Sequence, residues 1–336
     1  MGHSRPSPRR ESSRWRGHGA LLCTVLLAAT PAGAPRGISN PLLASGPDPW
    51  IVRAGAVYYH THSTGDGLEI WKTRDLGDLA NAEHRVVWRP SPPAANGQAI
   101  WAPELHRIGG HWYIYYSAAA SGHDDDAHRG IFVLENTASD PLAGRWIDRG
   151  KLLTAHPGID GTTFAYRGRR YFVYSPYVGA DSALAMVAMA DPVTLTGAET
   201  IIARPEHDWE RQGGRQILEG PAFVEGPRGD LFLSFSGSAC WSDGYAIGLL
   251  RAAPGADPLK AASWHEHRDP VLATTPDKGI FAPGHNSFFT TPGGATWTAY
   301  HANPRAGMGC GAARAVRIAR VRWDGAGQPR FDPSAE

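Results

Sequence analysis

From Asp48 onward the chain falls into short runs in which apolar and polar side chains alternate with a period near two, each pair of runs joined by a turn that holds glycine. The same unit returns at intervals of roughly fifty to sixty-five residues. It opens with a polar or charged residue beside Pro or Gly, and continues with an apolar stretch, a glycine turn and an aromatic strand. The first unit begins Asp48-Pro49-Trp50-Ile51-Val52 and turns at Gly55 into Val57-Tyr58-Tyr59. The second runs from Trp101-Ala102-Pro103-Glu104 through Gly109-Gly110 to Trp112-Tyr113-Ile114-Tyr115-Tyr116. Ile159-Asp160-Gly161-Thr162 opens the third, Leu218-Glu219-Gly220-Pro221 the fourth, and Gly284-His285-Asn286-Ser287 the fifth. Hairpins of this kind, followed by further strands such as Leu184–Met189 and Tyr245–Leu250, predict an all-β fold, a five-bladed β-propeller. Helical repeats are excluded because no long window carries a 3.6-residue period. No linker interrupts residues 41 to 332, so residues 35–336 are expected to form one propeller domain.

The N-terminus breaks the pattern. Arg9, Arg10, Arg14 and Arg16 precede the apolar run Ala20–Ala29, and small residues follow as far as Ala34. That order predicts a secretory signal peptide over residues 1–34, with a run too short to span a bilayer. A secreted, extracellular protein is expected, and Cys240 and Cys310 would then form either a disulfide or two buried thiols. The formal net charge is +1, from 33 basic and 32 acidic side chains, so neither a nucleic-acid footprint nor an anionic membrane partner is expected. Nothing marks an oligomer interface, and a monomer is expected. Twelve Trp and eleven Tyr suit a packed core and stacking on sugar rings alike.

In a propeller the inner strand of every blade lines one channel, so the opening residues of the repeats converge. Three of the five are acidic: Asp48, Asp160 and Glu219. Glycoside hydrolysis requires one carboxyl that holds a proton for the leaving oxygen and another, ionised, that activates water or attacks the sugar. A third carboxylate would hold the acid's proton in place by like-charge repulsion. Asp-Pro and Asp-Gly are also ordinary turn formers, so position alone admits a purely structural reading. Trp101 is the candidate sugar platform, and Glu104 is expected to pair with a neighbouring base. The run Asp124-Asp125-Asp126, between His123 and His128, reads as a solvated loop tip rather than a metal loop.

Taken in order, Asp48-Pro49-Trp50, Trp101-Ala102-Pro103-Glu104, Ile159-Asp160-Gly161-Thr162, Glu219-Gly220-Pro221 and Gly284-His285-Asn286-Ser287 resemble the successive blade motifs of glycoside hydrolase family 43. Asn40–Leu43, Leu68–Trp71, Arg204–Glu210 and Tyr300–Pro304 are most similar to its extracellular exo-α-1,5-L-arabinofuranosidases. The resemblance implies inverting hydrolysis that releases L-arabinofuranose from α-1,5-linked arabinan or arabino-oligosaccharides. Asp48 would be the general base, Glu219 the general acid, and Asp160 the group that raises the pKa of Glu219 and orients it. His285 would reach a central cation, usually calcium, largely through water; no cofactor is required for the chemistry itself. Arg314 and Arg317 match positions where arginine approaches the sugar or an acidic side chain, with Arg314 preferred as the one facing the pocket, although Arg320 and Arg322 depart from the more apolar family pattern. β-Xylosidase and endo-α-1,5-arabinanase of the same family are the alternative activities. The fact that the fifth unit is followed closely by the last residue suits small arabinan enzymes better than large xylosidases. A carbohydrate-binding propeller without catalysis is the non-enzyme alternative, disfavoured by the presence of all three acids. Retaining β-fructosidases continue Asp-Pro with Asn-Gly, unlike Trp50, and no sialidase-type Asp-box repeat occurs.

Overall fold

Period-two alternation gives every strand two faces, and here each face belongs to a different neighbour. In the strand Arg169–Val178, Phe172 and Tyr174 pack toward the preceding blade while Tyr171 and Val173 pack toward the following one. His111–Ala119 divides the same way, with Trp112, Ile114 and Tyr116 on one side and Tyr113 and Tyr115 on the other. The computed structural model describes residues 1–3, 38–311 and 313–333, and the account below concerns the unit from Ala32 onward. The leader expected over residues 1–34 lies, beyond His3, outside the described residues.

Five antiparallel sheets follow one another along the chain, four built from strands that pair in sequence order and the third departing from it only by the two-residue strand Asp181–Ser182. Their inner strands are Trp50–Ala54, Gln98–Ile108, Gly158–Tyr166, Leu218–Glu225 and Phe281–Thr290, the units expected from the repeat. Five apolar clusters lie between neighbouring sheets. The one joining the fifth blade to the first contains Ile51, Tyr58, Phe289, Trp297 and Val316. The ring therefore closes on itself, and each sheet face is buried against another sheet. Closure is reinforced by the chain ahead of the first blade. Asn40 makes a reciprocal pair with the backbone of Ile318, at 2.8 Å in both directions, and Leu43 bridges to Val316.

The residues that open each repeat share one local geometry. Asp48 (φ 57°), Ala102 (φ 45°), Asp160 (φ 58°), Gly220 (φ 58°) and His285 (φ 45°) all lie in the left-handed region. In the four later blades the strand register shifts at this point, so a bulge re-aims the side chain toward the axis. Left-handed backbone is unfavourable for residues with a Cβ, and surrounding contacts must hold it. Those contacts also repeat. The backbone N–H of Ala102 donates to Ser63 Oγ at 2.6 Å, that of Asp160 to Ser117 Oγ at 2.8 Å, and that of His285 to Ser236 Oγ at 2.6 Å. Asp48 N–H donates to His301 Nδ1 at 3.1 Å, completing the circle from the fifth blade. Four of the five opening residues thus hang from the second hairpin arm of the blade before, or from the residues just after it, while Gly220 N–H donates to Asp160 instead.

Candidate active site

The five blade openings surround one cavity of about 410 Å³, lined by Asp48, Asp160 and Glu219 together with Trp101, His285 and Arg314. All six site residues expected from the sequence meet there. A volume of this size holds a sugar or two, within the range of small-molecule sites.

Asp48 is 9% exposed and densely contacted. Its Oδ2 accepts from Ser63 Oγ at 2.5 Å, and its Oδ1 accepts from Arg314 Nη1 at 3.1 Å. Burial is the largest single influence and pushes its pKa up. The Arg314 guanidinium, then His285 and His301, outweigh it and hold the carboxyl well below the usual range. Asp48 is therefore ionised at any pH near neutrality. His301 is itself kept neutral, pushed down to about 3 by burial and by Arg314. Its Nδ1 is free to accept the Asp48 N–H.

Asp160 and Glu219 behave in the opposite way. Asp160 accepts the Gly220 N–H at 3.0 Å through Oδ2, yet burial, then the charge of Glu219 and then that of Asp48 raise its pKa well above the usual value. Glu219 accepts from the Tyr245 hydroxyl at 2.8 Å through Oε1. Burial, opposed by that hydrogen bond and aided by Asp48, pushes it up to about 7. Two adjacent carboxyls with raised values beside a third that stays charged hold a proton between them at neutral pH. Gly220 connects them, and its conformation leaves space for the His285 ring, which a Cβ there would approach to 3.1 Å.

His285 lies between the first and third blades' acids, with Nδ1 3.5 Å from Asp48 Oδ1 and 3.8 Å from Asp160 Oδ2. Burial depresses its pKa, so the ring is neutral and one edge can ligate. Calcium takes six to eight oxygen ligands. One imidazole edge fits an ion that keeps most of its water, and does not fit a cage built from protein groups. Among the described residues, the group of three ligand-type side chains close enough to share an ion is instead His123, Asp125 and His128, all exposed.

Other expectations are refined. Trp101 lines the cavity, but the Arg129 guanidinium lies 3.6 Å over its ring, so at most one face is left for a sugar. Arg317 donates to the Gly279 carbonyl at 3.1 Å, and of the two arginines it is Arg314 that lines the cavity. Glu104 is 3% exposed and bonded to His106 Nε2 at 2.9 Å, a structural pairing. The loop expected as a solvated tip is exposed, but it is not idle. Asp126 lines the cavity and pairs with Arg215 at 2.7 Å, while Asp124 pairs with Arg129. Charges that looked solvated are fixed by arginines, Arg129 from just beyond the loop and Arg215 from a distant part of the chain. Cys240 and Cys310 form a disulfide across a separation of 70 residues.

Tyr245, Ser63, His301, Arg129, Arg215 and Trp241 were not singled out by sequence. A recurring Ser near or just past the end of the second strand in four blades (Ser63, Ser117, Ser175, Ser236) was the available signal for one of them. The rest sit outside the repeat motif and carry no periodic mark.

Comparison with known proteins bears on this geometry. Relatives include an extracellular exo-alpha-(1->5)-L-arabinofuranosidase of Streptomyces chartreusis, 36% identical over 294 residues, covering 84% of this chain and 88% of the relative. Its namesake from Streptomyces avermitilis is 33% identical over 90% of this chain, which spans 65% of that protein's length. Among solved structures, an alpha-L-arabinofuranosidase from Lactobacillus brevis superimposes with a TM-score of 0.82 at 30% identity, covering 89% of this chain and 97% of that one. The sequence model of glycosyl hydrolases family 43 matches residues 38–329, so the chain belongs to that family.

Proposed function

We propose that the protein is an inverting exo-α-1,5-L-arabinofuranosidase that releases L-arabinofuranose from arabinan or arabino-oligosaccharides. The observation that carries this reading is the division of one carboxylate trio into an ionised member and a proton-holding pair within a single cavity. An ionised carboxylate can take a proton from water as that water attacks the anomeric carbon. Asp48, held charged by Arg314, has that role. The leaving oxygen must meanwhile receive a proton, and Glu219 holds one because it is buried and lies near the charge of Asp48. Asp160 keeps that proton in place and, by fixing the Gly220 N–H, sets where the Glu219 side chain begins. Tyr245 steers Glu219 through its Oε1 and moderates how tightly the proton is held. Trp101, backed by Arg129, offers an apolar face to the ring at the reaction centre. A hydrated cation on the open edge of His285 would add positive charge beside Asp48 and favour its ionised form.

The arabinofuranosidase names of the similar proteins support the choice of sugar. Extracellular relatives and a disulfide both suit export, and residues 1–34 have the order of a leader. No helix among the described residues is long and apolar enough to cross a membrane. Product analysis on debranched α-1,5-arabinan tests the proposal. Arabinose as the first and dominant product, formed as the β-anomer, is expected. A ladder of oligomers would replace exo with endo action, and xylose from xylobiose without arabinose from arabinobiose would replace the sugar.

A further inference from the structure

Outside the trio, one feature of the cavity serves no role so far. Trp241 lines it and is 54% exposed, alone among the described aromatic residues in being exposed. An exposed indole on a loop would ordinarily be mobile, because nothing opposes its rotamer entropy. Here the ring is fixed. Its Nε1–H donates to the Gly213 carbonyl at 2.8 Å. Gly213 has a φ of 84°, and a Cβ there would stand 2.7 Å from Ala239 Cβ and 3.1 Å from the indole nitrogen, so only glycine admits this close approach. Ala239 N–H and Gln212 N–H tie the same two segments together from either side.

On its other flank the loop is bound to the fifth blade. The Cys240–Cys310 disulfide anchors the residue immediately before Trp241. Asp243 accepts the Gly307 N–H with both oxygens, at 2.9 and 3.0 Å, and Asn303 holds the Gly309 carbonyl at 3.0 Å. An aromatic ring fixed by a hydrogen bond, on a loop tied both to the segment before it and to the fifth blade, yet left open to solvent at the edge of a cavity, has the form of a preorganised stacking surface.

Its position selects the ligand. In the proposed mechanism, the base and acid lie on opposite sides of the anomeric carbon, so the leaving sugar extends outward from Glu219. Glu219 is in register with Ser236, and the chain turns from that strand into the loop that carries Trp241. We propose that Trp241 is the binding platform for the leaving-group pentose, clamped in place by the Cys240–Cys310 disulfide. This inference rests on the arabinofuranosidase reading. The C–H face of a pentofuranose stacks on the indole, and the ring at the reaction centre is held separately near Trp101.

The test compares kcat/KM for α-1,5-arabinotriose, whose leaving group is a sugar, with that for methyl α-L-arabinofuranoside, whose leaving group has no ring. Trp241→Ala lowers the ratio of the two about tenfold. Trp241→Phe, which keeps an aromatic face, stays within about threefold of the wild-type ratio. An unchanged ratio in the alanine variant, or a phenylalanine variant as weak as the alanine one, overturns the proposal. A wild-type protein that cleaves neither arabinoside but acts on xylosides overturns the sugar assignment instead. The same ratio is then read on xylobiose and methyl β-D-xyloside, where a tenfold fall supports the platform and no fall sinks it.

Discussion

Replacing Tyr245 by Phe removes one hydroxyl and leaves the ring that stacks on His301 at 5.8 Å between centroids. In the wild type that hydroxyl donates to Glu219 Oε1 at 2.8 Å. The bond stabilises the ionised carboxylate, so it lowers a pKa that burial has pushed up to about 7. Without it the proton is held more tightly, and the alkaline limb of the pH–rate profile moves up. A hydrogen bond to a charged group contributes about 1.5–3 kcal/mol. At about 1.4 kcal/mol per pH unit, the limb shifts upward by about one to two units. The assay is kcat/KM against pH on an arabinofuranoside, with circular dichroism to confirm the fold. The limb belongs to the Asp160–Glu219 pair, but the direction is the same whichever carboxyl holds the proton more of the time. A limb that stays in place, or moves down, would refute the assignment of Glu219 as the proton donor tuned by Tyr245.

Three other outcomes follow from the same geometry. Asp48→Asn keeps the shape of the side chain but cannot accept a proton, and should lower kcat by about a thousandfold, within the usual range for a general base, with KM nearly unchanged; retention of a tenth of wild-type activity would remove Asp48 from that role. Arg314→Met takes away the strongest influence that lowers the Asp48 pKa, leaving burial to dominate, so the acidic limb should move up by one unit or more and activity at low pH should be lost first. Far from the cavity, Glu266 is raised to about 10 by burial and by its neighbour Glu210, so its folded form keeps a proton that the unfolded chain releases above the ordinary carboxylate range. Stability from this group is complete below that range and declines as pH rises toward 10, so Glu266→Gln should raise the melting temperature more at pH 8 than at pH 5; an equal effect at both would show that the pair does not share a proton.

The number and order of blades were legible because a propeller repeats its hairpin, and a repeat leaves a periodic trace even when no single segment is decisive. Asp48, Asp160 and Glu219 could be found for the same reason, since rotational symmetry brings equivalent positions together. What was not legible has no equivalent in the other blades. Arg129, at the head of a strand, and Arg215, from a loop, reach the cavity from outside the repeat motif, and Asp126 looked solvated because its arginine lies 89 residues further along the chain. Tyr245 is hidden just ahead of an apolar strand, where its ring fills the space that Gly284 leaves, a Cβ there falling 1.8 Å from the ring. Its hydroxyl matters only because the fold points it at Glu219. The disulfide, left open by the sequence, depended on two loops meeting after 70 residues.

Symmetry delivers the acids but would, by itself, give all of them the same pKa. Chemistry requires that they differ, and the difference comes from what each blade places behind an identical backbone kink. Behind Asp48 stand Ser63, Arg314 and a neutral His301, so charge is favoured there. At Asp160 burial and the charges of two other carboxylates outweigh a backbone N–H and the charge of Arg314, so charge is opposed. Glu219 lies on a bulge one residue before Gly220, facing a phenol that donates one hydrogen bond. A scaffold of near-equivalent blades can thus change its reaction without changing its fold, by substituting the side chains that reach each kink from the blade before it. The hydroxyl-bearing second strands hold the kinks in place, and the arginine and tyrosine decide which acid keeps the proton.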